Sequence, residues 1–271
     1  MKERGSAAGV GLCAEDYPVR MKGKQKLMKI LAIETSGQVC GTAVLEEDTL
    51  VAEYTLQYKK THSQSLIPMM DELRAMCGLE LSTVDAIALT AGPGSFTGVR
   101  IGAATAKGLG MALDRPLIPV PTVDSLAGNL YATGNHVICP IMDARRGQVY
   151  SGIYEFCAYQ LHVLEPQCAA SLTEMAARLN ALGRPVIFLG DGVPVYRAQL
   201  GDIMEVPYSF APPQLSRQRA ATTAVLAMQA YRERGAACLV NPDDFRPAYL
   251  RLSQAERERK EGIDTSRVVR R

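Results

Sequence analysis

Apolar runs and their spacing set out an ordered series of elements. Residues 28–34, MKILAIE, form a short apolar run of the kind that makes a buried strand. Residues 39–46 and 49–57 predict two more strands, with turns at Ser36-Gly37 and Glu47-Asp48. The period then changes. From 63 to 77, Leu66, Met69, Met70, Leu73 and Met76 recur at threes and fours, the spacing of an amphipathic helix that tolerates Pro68 only in its first turns. A strand at 85–91, a helix at 97–113, a strand at 117–121 and a helix from 122 to 131 complete a β-β-β-α-β-α-β-α order.

The second half repeats that order. Strands are expected at 136–143, 148–156 and 160–165, a helix at 171–182, a strand at 185–190 and a helix at 216–234. The residues keep a trace of the repeat. Ile33-Glu34 precedes Gly37-Gln38-Val39, and Met142-Asp143 precedes Gly147-Gln148-Val149, with an offset of 110 between the tripeptides. Together these predict a duplicated α/β fold: two ribonuclease-H-like, actin-like lobes of mixed sheet flanked by helices. The lobes are expected at 28–131 and 132–251. Residues 1–27 are polar and aperiodic, and read as a disordered extension or as sequence ahead of a start at Met28. Residues 252–271 read as a charged tail.

Composition narrows the class. A chain of 271 residues with 47% hydrophobic content is long enough for one large domain or two small lobes with cores of their own. No run approaches the roughly 18 consecutive apolar residues of a membrane span, so no membrane association is expected. The 7 cysteines are odd in number and form no C-x-x-C pair, which disfavours a disulfide framework or structural zinc and favours reduced thiols in the cytoplasm. The net charge of +2 is uneven. Taking the two ends (1–27 and 251–271) from the 30 basic and 28 acidic groups leaves 17 against 21 between them, a net of −4. Such a core is a poor stand-alone binder of a phosphate backbone, so nucleic acid is expected through the tails or a partner.

Gly92-Pro93-Gly94-Ser95-Phe96-Thr97-Gly98 lies between a predicted strand and helix. Backbone N–H groups at a helix start would receive an anion there, and a plain turn would use the same glycines. The G-x-G-x-x-x-G spacing is neither the dinucleotide fingerprint nor a Walker A loop, and Ser95 is not framed as a nucleophile. Both readings of the loop stay open on spacing alone.

The longer strings are more specific. GPGSFTGVRIGAATAKGLG, Pro116 to Ala127, MKILAIETS, THSQSLIPMMDEL, MDARRGQVY and RPAYLR together make residues 28–251 resemble the TsaB (YeaZ) family. The resemblance implies a pseudo-enzyme of the actin-like ATPase superfamily. It implies a part in threonylcarbamoylation of the anticodon-adjacent adenosine of tRNAs reading codons that begin with A. The implied partners are a TsaD-type catalytic paralogue and a TsaE-type ATPase, with tRNA engaged through the complex and a homodimer formed when the chain is alone. It further implies no cofactor of its own, with ATP or ADP at a site shared with TsaD and any metal on the partner. The family interface falls on the first two helices. Leu66, Ile67, Met70 and Leu73 are expected on one, and the small-residue stripe Gly98, Gly102, Ala106 and Gly110 on the other.

The residues support the non-catalytic half of that reading. The catalytic paralogue holds metal with two histidines four apart on the first helix, but here His62 is followed at that spacing by Leu66. His136 and His162 fall in the second half, and His62 is expected to cap its helix or pack at the surface. A degenerate nucleotide site is expected from Glu34, Thr35, Ser36, Gly92, Gly94, Asp143, Arg145 and Gly190. Asp143 is followed by Ala144-Arg145-Arg146 where a phosphate loop would need glycine. The competing reading is a nucleotide-binding ATPase or metallopeptidase-like enzyme in its own right.

Overall fold

A computed structural model describes residues 28–58, 61–131, 135–157 and 160–251; the expectations for 1–27 and 252–271 lie outside it. The first half builds β1 (Lys29–Glu34), β2 (Cys40–Glu46), β3 (Thr49–Leu56), α1 (His62–Cys77), β4 (Ala86–Thr90), α2 (Phe96–Leu113), β5 (Leu117–Val120) and α3 (Thr122–Ala127). The second builds β6 (Val137–Asp143), β7 (Gln148–Cys157), β8 (Gln160–Ser171), α4 (Leu172–Leu182), β9 (Val186–Leu189), α5 (Val193–Ile203), β10 (Tyr208–Phe210) and α6 (Ala220–Arg234).

The sheets run β3-β2-β1-β4-β5 and β10-β9-β6-β7-β8, one the copy of the other strand for strand. In each, three antiparallel strands continue into a parallel pair. The duplicated actin-like α/β fold is thus present, and Glu34 and Asp143 end the equivalent central strands.

Both faces of the first sheet are covered, which is why β1 reads as an unbroken apolar run. Leu31 and Ile33 join Leu66, Leu73 and Ala106 beneath α1 and α2. Ile30 and Ala32 join Ala220, Ala224 and Met228 of α6. On the second sheet, α4 and α5 cover one face through Met175, Leu179, Tyr196 and Leu200. The other face is covered by α3, whose Val123 and Leu126 pack against Ile138, Met142 and Tyr154. Each half therefore lends its last helix to the other sheet. The boundary expected at 131/132 divides the strands correctly, but the packing crosses it. A buried bond between the hydroxyls of Ser125 and Thr223 at 2.8 Å joins the exchanged helices.

Several elements differ from expectation, among them α3, which ends at Ala127 rather than at 131. The edge strand β8 runs past 165 to Ser171, where the Ser171–Glu174 capping box starts α4. The last long helix starts at Ala220, because Pro212 and Pro213 lead into a short 3-10 turn before it. The elements α5 and β10 were not expected at all, although they are the repeat counterparts of α2 and β5. Among the described residues, no helix is long and apolar enough to cross a membrane. The six described cysteines are unpaired thiols.

Candidate functional site

Glu34 sits at the end of β1 and is fully buried. One carboxyl oxygen accepts from the Ser36 backbone N–H at 2.7 Å and from the Ser36 hydroxyl. The other is buried without a partner among the described residues. Burial raises the carboxyl to about 7, against the opposing bonds from Ser36 and the influence of the nearby Thr90 hydroxyl. Across the turn, Gln218 is also fully buried, and its amide crowds Gly37 so closely that a Cβ there would stand 2.7 Å from its oxygen. Nothing in the sequence marks Gln218, which precedes a helix by two residues and carries no motif.

The glycine loop is filled by the protein itself. Each glycine turns the face a side chain would occupy toward a main-chain carbonyl: Gly92 toward Ala248, Gly94 toward Ser36 and Gly98 toward Thr35. Three N–H groups of the loop and the first turn of α2 are engaged within the protein. Ser95 N donates to Ser36 O at 2.7 Å, Gly98 N to the Ser95 hydroxyl at 3.3 Å, and Val99 N to Ser95 O at 2.8 Å. The Thr35 hydroxyl donates to Gly98 O at 2.8 Å. Carbonyl oxygens repel phosphate, so the sides of Gly92, Gly94 and Gly98 that meet them are packing contacts rather than a phosphate cradle. Of the two readings left open by spacing, close backbone packing is the one the geometry supports.

The second-half counterpart is built differently. Asp143 accepts from Arg145 N at 2.8 Å and from the Tyr196 hydroxyl at 3.2 Å, and its own N–H donates to Asp191 at 3.3 Å. Burial pushes the Asp191 carboxyl up, partly offset by the Asp143 N–H and the Arg217 charge. Arg217 donates to Gly190 O at 2.9 Å. Gly190 and Gly92 share φ 109, a backbone state suited to glycine, at equivalent places after β9 and β4. After Asp143 the turn passes through Arg145 and Arg146 at φ 66 and 57, and Arg251 donates to the carbonyls of Ala144 and Arg145 from the far end of the fold. Arg251 was seen only as part of a resembling string, and its contact here is purely tertiary.

The interface expectation needs correction on its geometry. Leu66, Met70, Leu73 and Ala106 belong to the core cluster under α1 and α2. Gly98, Gly102 and Gly110 are buried too: a Cβ on Gly102 would run into the Thr35 hydroxyl, and one on Gly110 would stand 2.7 Å from Pro242. The four-residue stripe therefore seats α2 on its own sheet. Of the eight residues expected at an interface only Ile67, 54% exposed, faces outward. The outward face of these helices instead carries Met76, Ala104, Gly108 and Met111. His62 is not a cap either. It is the first residue of α1, and its Nε2 lies 2.9 Å from Gly37 O, pinning the helix to the β1–β2 turn. Leu66, one turn on, is buried in the core, so the position a second metal ligand would take is apolar. Among the described residues no group of three or more His, Cys, Asp or Glu converges on a metal position.

Comparisons with known proteins identify the family. A family model described as "TsaD: tRNA N6-adenosine threonylcarbamoyltransferase" matches residues 49–259. The Bacillus subtilis tRNA threonylcarbamoyladenosine biosynthesis protein TsaB is 36% identical over 84% of this chain and 96% of its own length. The Escherichia coli TsaB is 36% identical over 47% of this chain and 55% of its own. Among solved structures, YeaZ from Pseudomonas aeruginosa superposes with a TM-score of 0.68 at 28% identity, covering 82% of this chain and all of that one. Another Pseudomonas aeruginosa structure, described as similar to peptidase YeaZ, gives 0.71 at 29% identity over 83% of this chain and all of its own. With the duplicated sheets, the exchanged helices and the self-filled glycine loop, these place the chain in the TsaB (YeaZ) family of tRNA threonylcarbamoyladenosine biosynthesis proteins.

Proposed function

We propose that the chain is a non-catalytic subunit that dimerises with a TsaD-type paralogue and activates it for threonylcarbamoylation of tRNA, with a TsaE-type ATPase joining in the cytoplasm. The observation that carries this reading is the glycine loop, whose Cα atoms pack directly on the carbonyls of Thr35, Ser36 and Ala248. A chain that packs its own backbone into that loop has given up the position where an actin-like enzyme would hold phosphate. The lone His62 on α1 points the same way. Chemistry then belongs to the partner, which holds any metal, and ATP or ADP occupies a site shared with it.

The partner surface is the outward face of α1 and α2. Ile67, Met76 and Met111 are 54%, 84% and 58% exposed, and Met re-packs readily against a new surface. Between them, Ala104 and Gly108 leave α2 smooth enough for another helix to lie close. A second copy of this chain meets the same face when no paralogue is present. Ala104→Arg, an exposed change, is expected to leave a folded monomer and abolish co-purification with the TsaD-type protein. Retention of the complex by that variant would move the interface elsewhere.

A further inference from the structure

We propose that a basic and aromatic surface beside the glycine loop, made by Phe96, Arg100, Arg145, Arg146, Tyr249 and Arg251, binds single-stranded RNA directly. The Arg100 guanidinium lies 3.7 Å from the centre of the Phe96 ring and 6.0 Å from that of Tyr249. The two rings are 5.2 Å apart, Arg100 Nε donates to the Tyr249 hydroxyl at 3.1 Å, and Tyr249 is 44% exposed. Two residues on, Arg251 holds the carbonyls of Ala144 and Arg145 and so brings the turn after Asp143 alongside this platform.

Arg145 and Arg146 are both exposed, and both adopt the left-handed backbone that glycine or asparagine fills with less strain. The turn's shape does not call for arginine; Arg145 reaches the Asp143 carboxylate at 3.8 Å with its side chain still largely exposed. Arginines beside stacked rings track phosphates and receive unstacked bases, the pairing that single-stranded RNA requires. The net −4 between the two ends does not oppose this, because charge is felt over about 10 Å at 0.1 M salt. The choice of RNA over another polyanion rests on the tRNA-modification reading above.

The test is fluorescence anisotropy of a labelled anticodon stem-loop RNA with the full chain across a salt series. The unsubstituted chain is expected to bind with a negative salt slope. Arg145→Asn with Arg146→Asn, which relaxes the backbone, should weaken binding about tenfold and flatten the slope by about 1.4, two single-strand phosphates' worth, with no loss of thermal stability. Tyr249→Ala should weaken binding at least about fivefold with no change of slope. Equal affinity and slope in the double variant would overturn the proposal. So would an unsubstituted chain that ignores RNA but binds polyglutamate through the same arginines, the behaviour of a site for an acidic polypeptide. Absence of RNA binding by the unsubstituted chain, with tRNA modification still supported alongside its partner, removes this proposal alone; failure of modification removes the reading beneath it.

Discussion

Thr35 and Gly98 hold each other at two points: the Thr35 hydroxyl donates to the Gly98 carbonyl at 2.8 Å, and the Thr35 carbonyl fills the space a side chain on Gly98 would need. One turn on, the Thr35 hydroxyl closes the same space at Gly102. The end of β1 and the start of α2 are thereby locked in one geometry. That contact turns the glycine motif from a ligand cradle into a packing joint.

Alanine at these glycines separates the two roles. Gly98→Ala and Gly102→Ala should each destabilise the fold by about 1–3 kcal/mol, since the backbone or hydroxyl of Thr35 must move. Gly108 has open space where its Cβ would stand, and Gly108→Ala should stabilise by about 0.5–1 kcal/mol through helix propensity. Urea midpoints of the three variants check this, and equal effects at all three would deny the joint.

Glu34 should make stability depend on pH. Its carboxyl is raised from 4.5 to about 7 by burial, so between those values the folded state keeps a proton that the unfolded state has released. Stability therefore falls as pH rises through that window and levels off above it, by about 3 kcal/mol at most. Glu34→Gln should remove the fall. Urea unfolding at pH 5 and pH 8 measures it, and an unaltered pH response in the variant would assign the effect to another group.

The docking of α6 on the opposite half can be probed at Glu53. This β3 carboxylate pairs with Arg219 and accepts from Ala221 N at 3.1 Å. Glu53→Ala leaves the first turn of α6 without that acceptor and should cost about 1–3 kcal/mol. Hydrogen exchange would show the loss concentrated at the start of α6; a uniform loss would speak against local docking.

Much of the fold was legible in the sequence because period and burial coincide there. The apolar β1 and the threes and fours of α1 mark elements whose faces are covered by their own neighbours. What escaped was short or set by distant contacts. Residues 193–203 lack a clean stripe and include Gly201, yet the repeat demanded a helix there, as the counterpart of α2. The stripe of α2 was visible, but not which way it faced, because small residues serve close packing on a sheet as well as on a partner. Gln218 and Arg251 act across more than a hundred residues of chain, and no local pattern announces such contacts.

Reconstitution decides whether the chemistry resides in this chain or in its partner. Purified chain, TsaD-type paralogue, and both together with a TsaE-type ATPase and threonylcarbamoyl-adenylate would be scored for modification of tRNA. The chain alone should be inactive, the full set active, and the full set with Ala104→Arg reduced to the level without this chain. Modification by the chain alone would contradict the non-catalytic assignment.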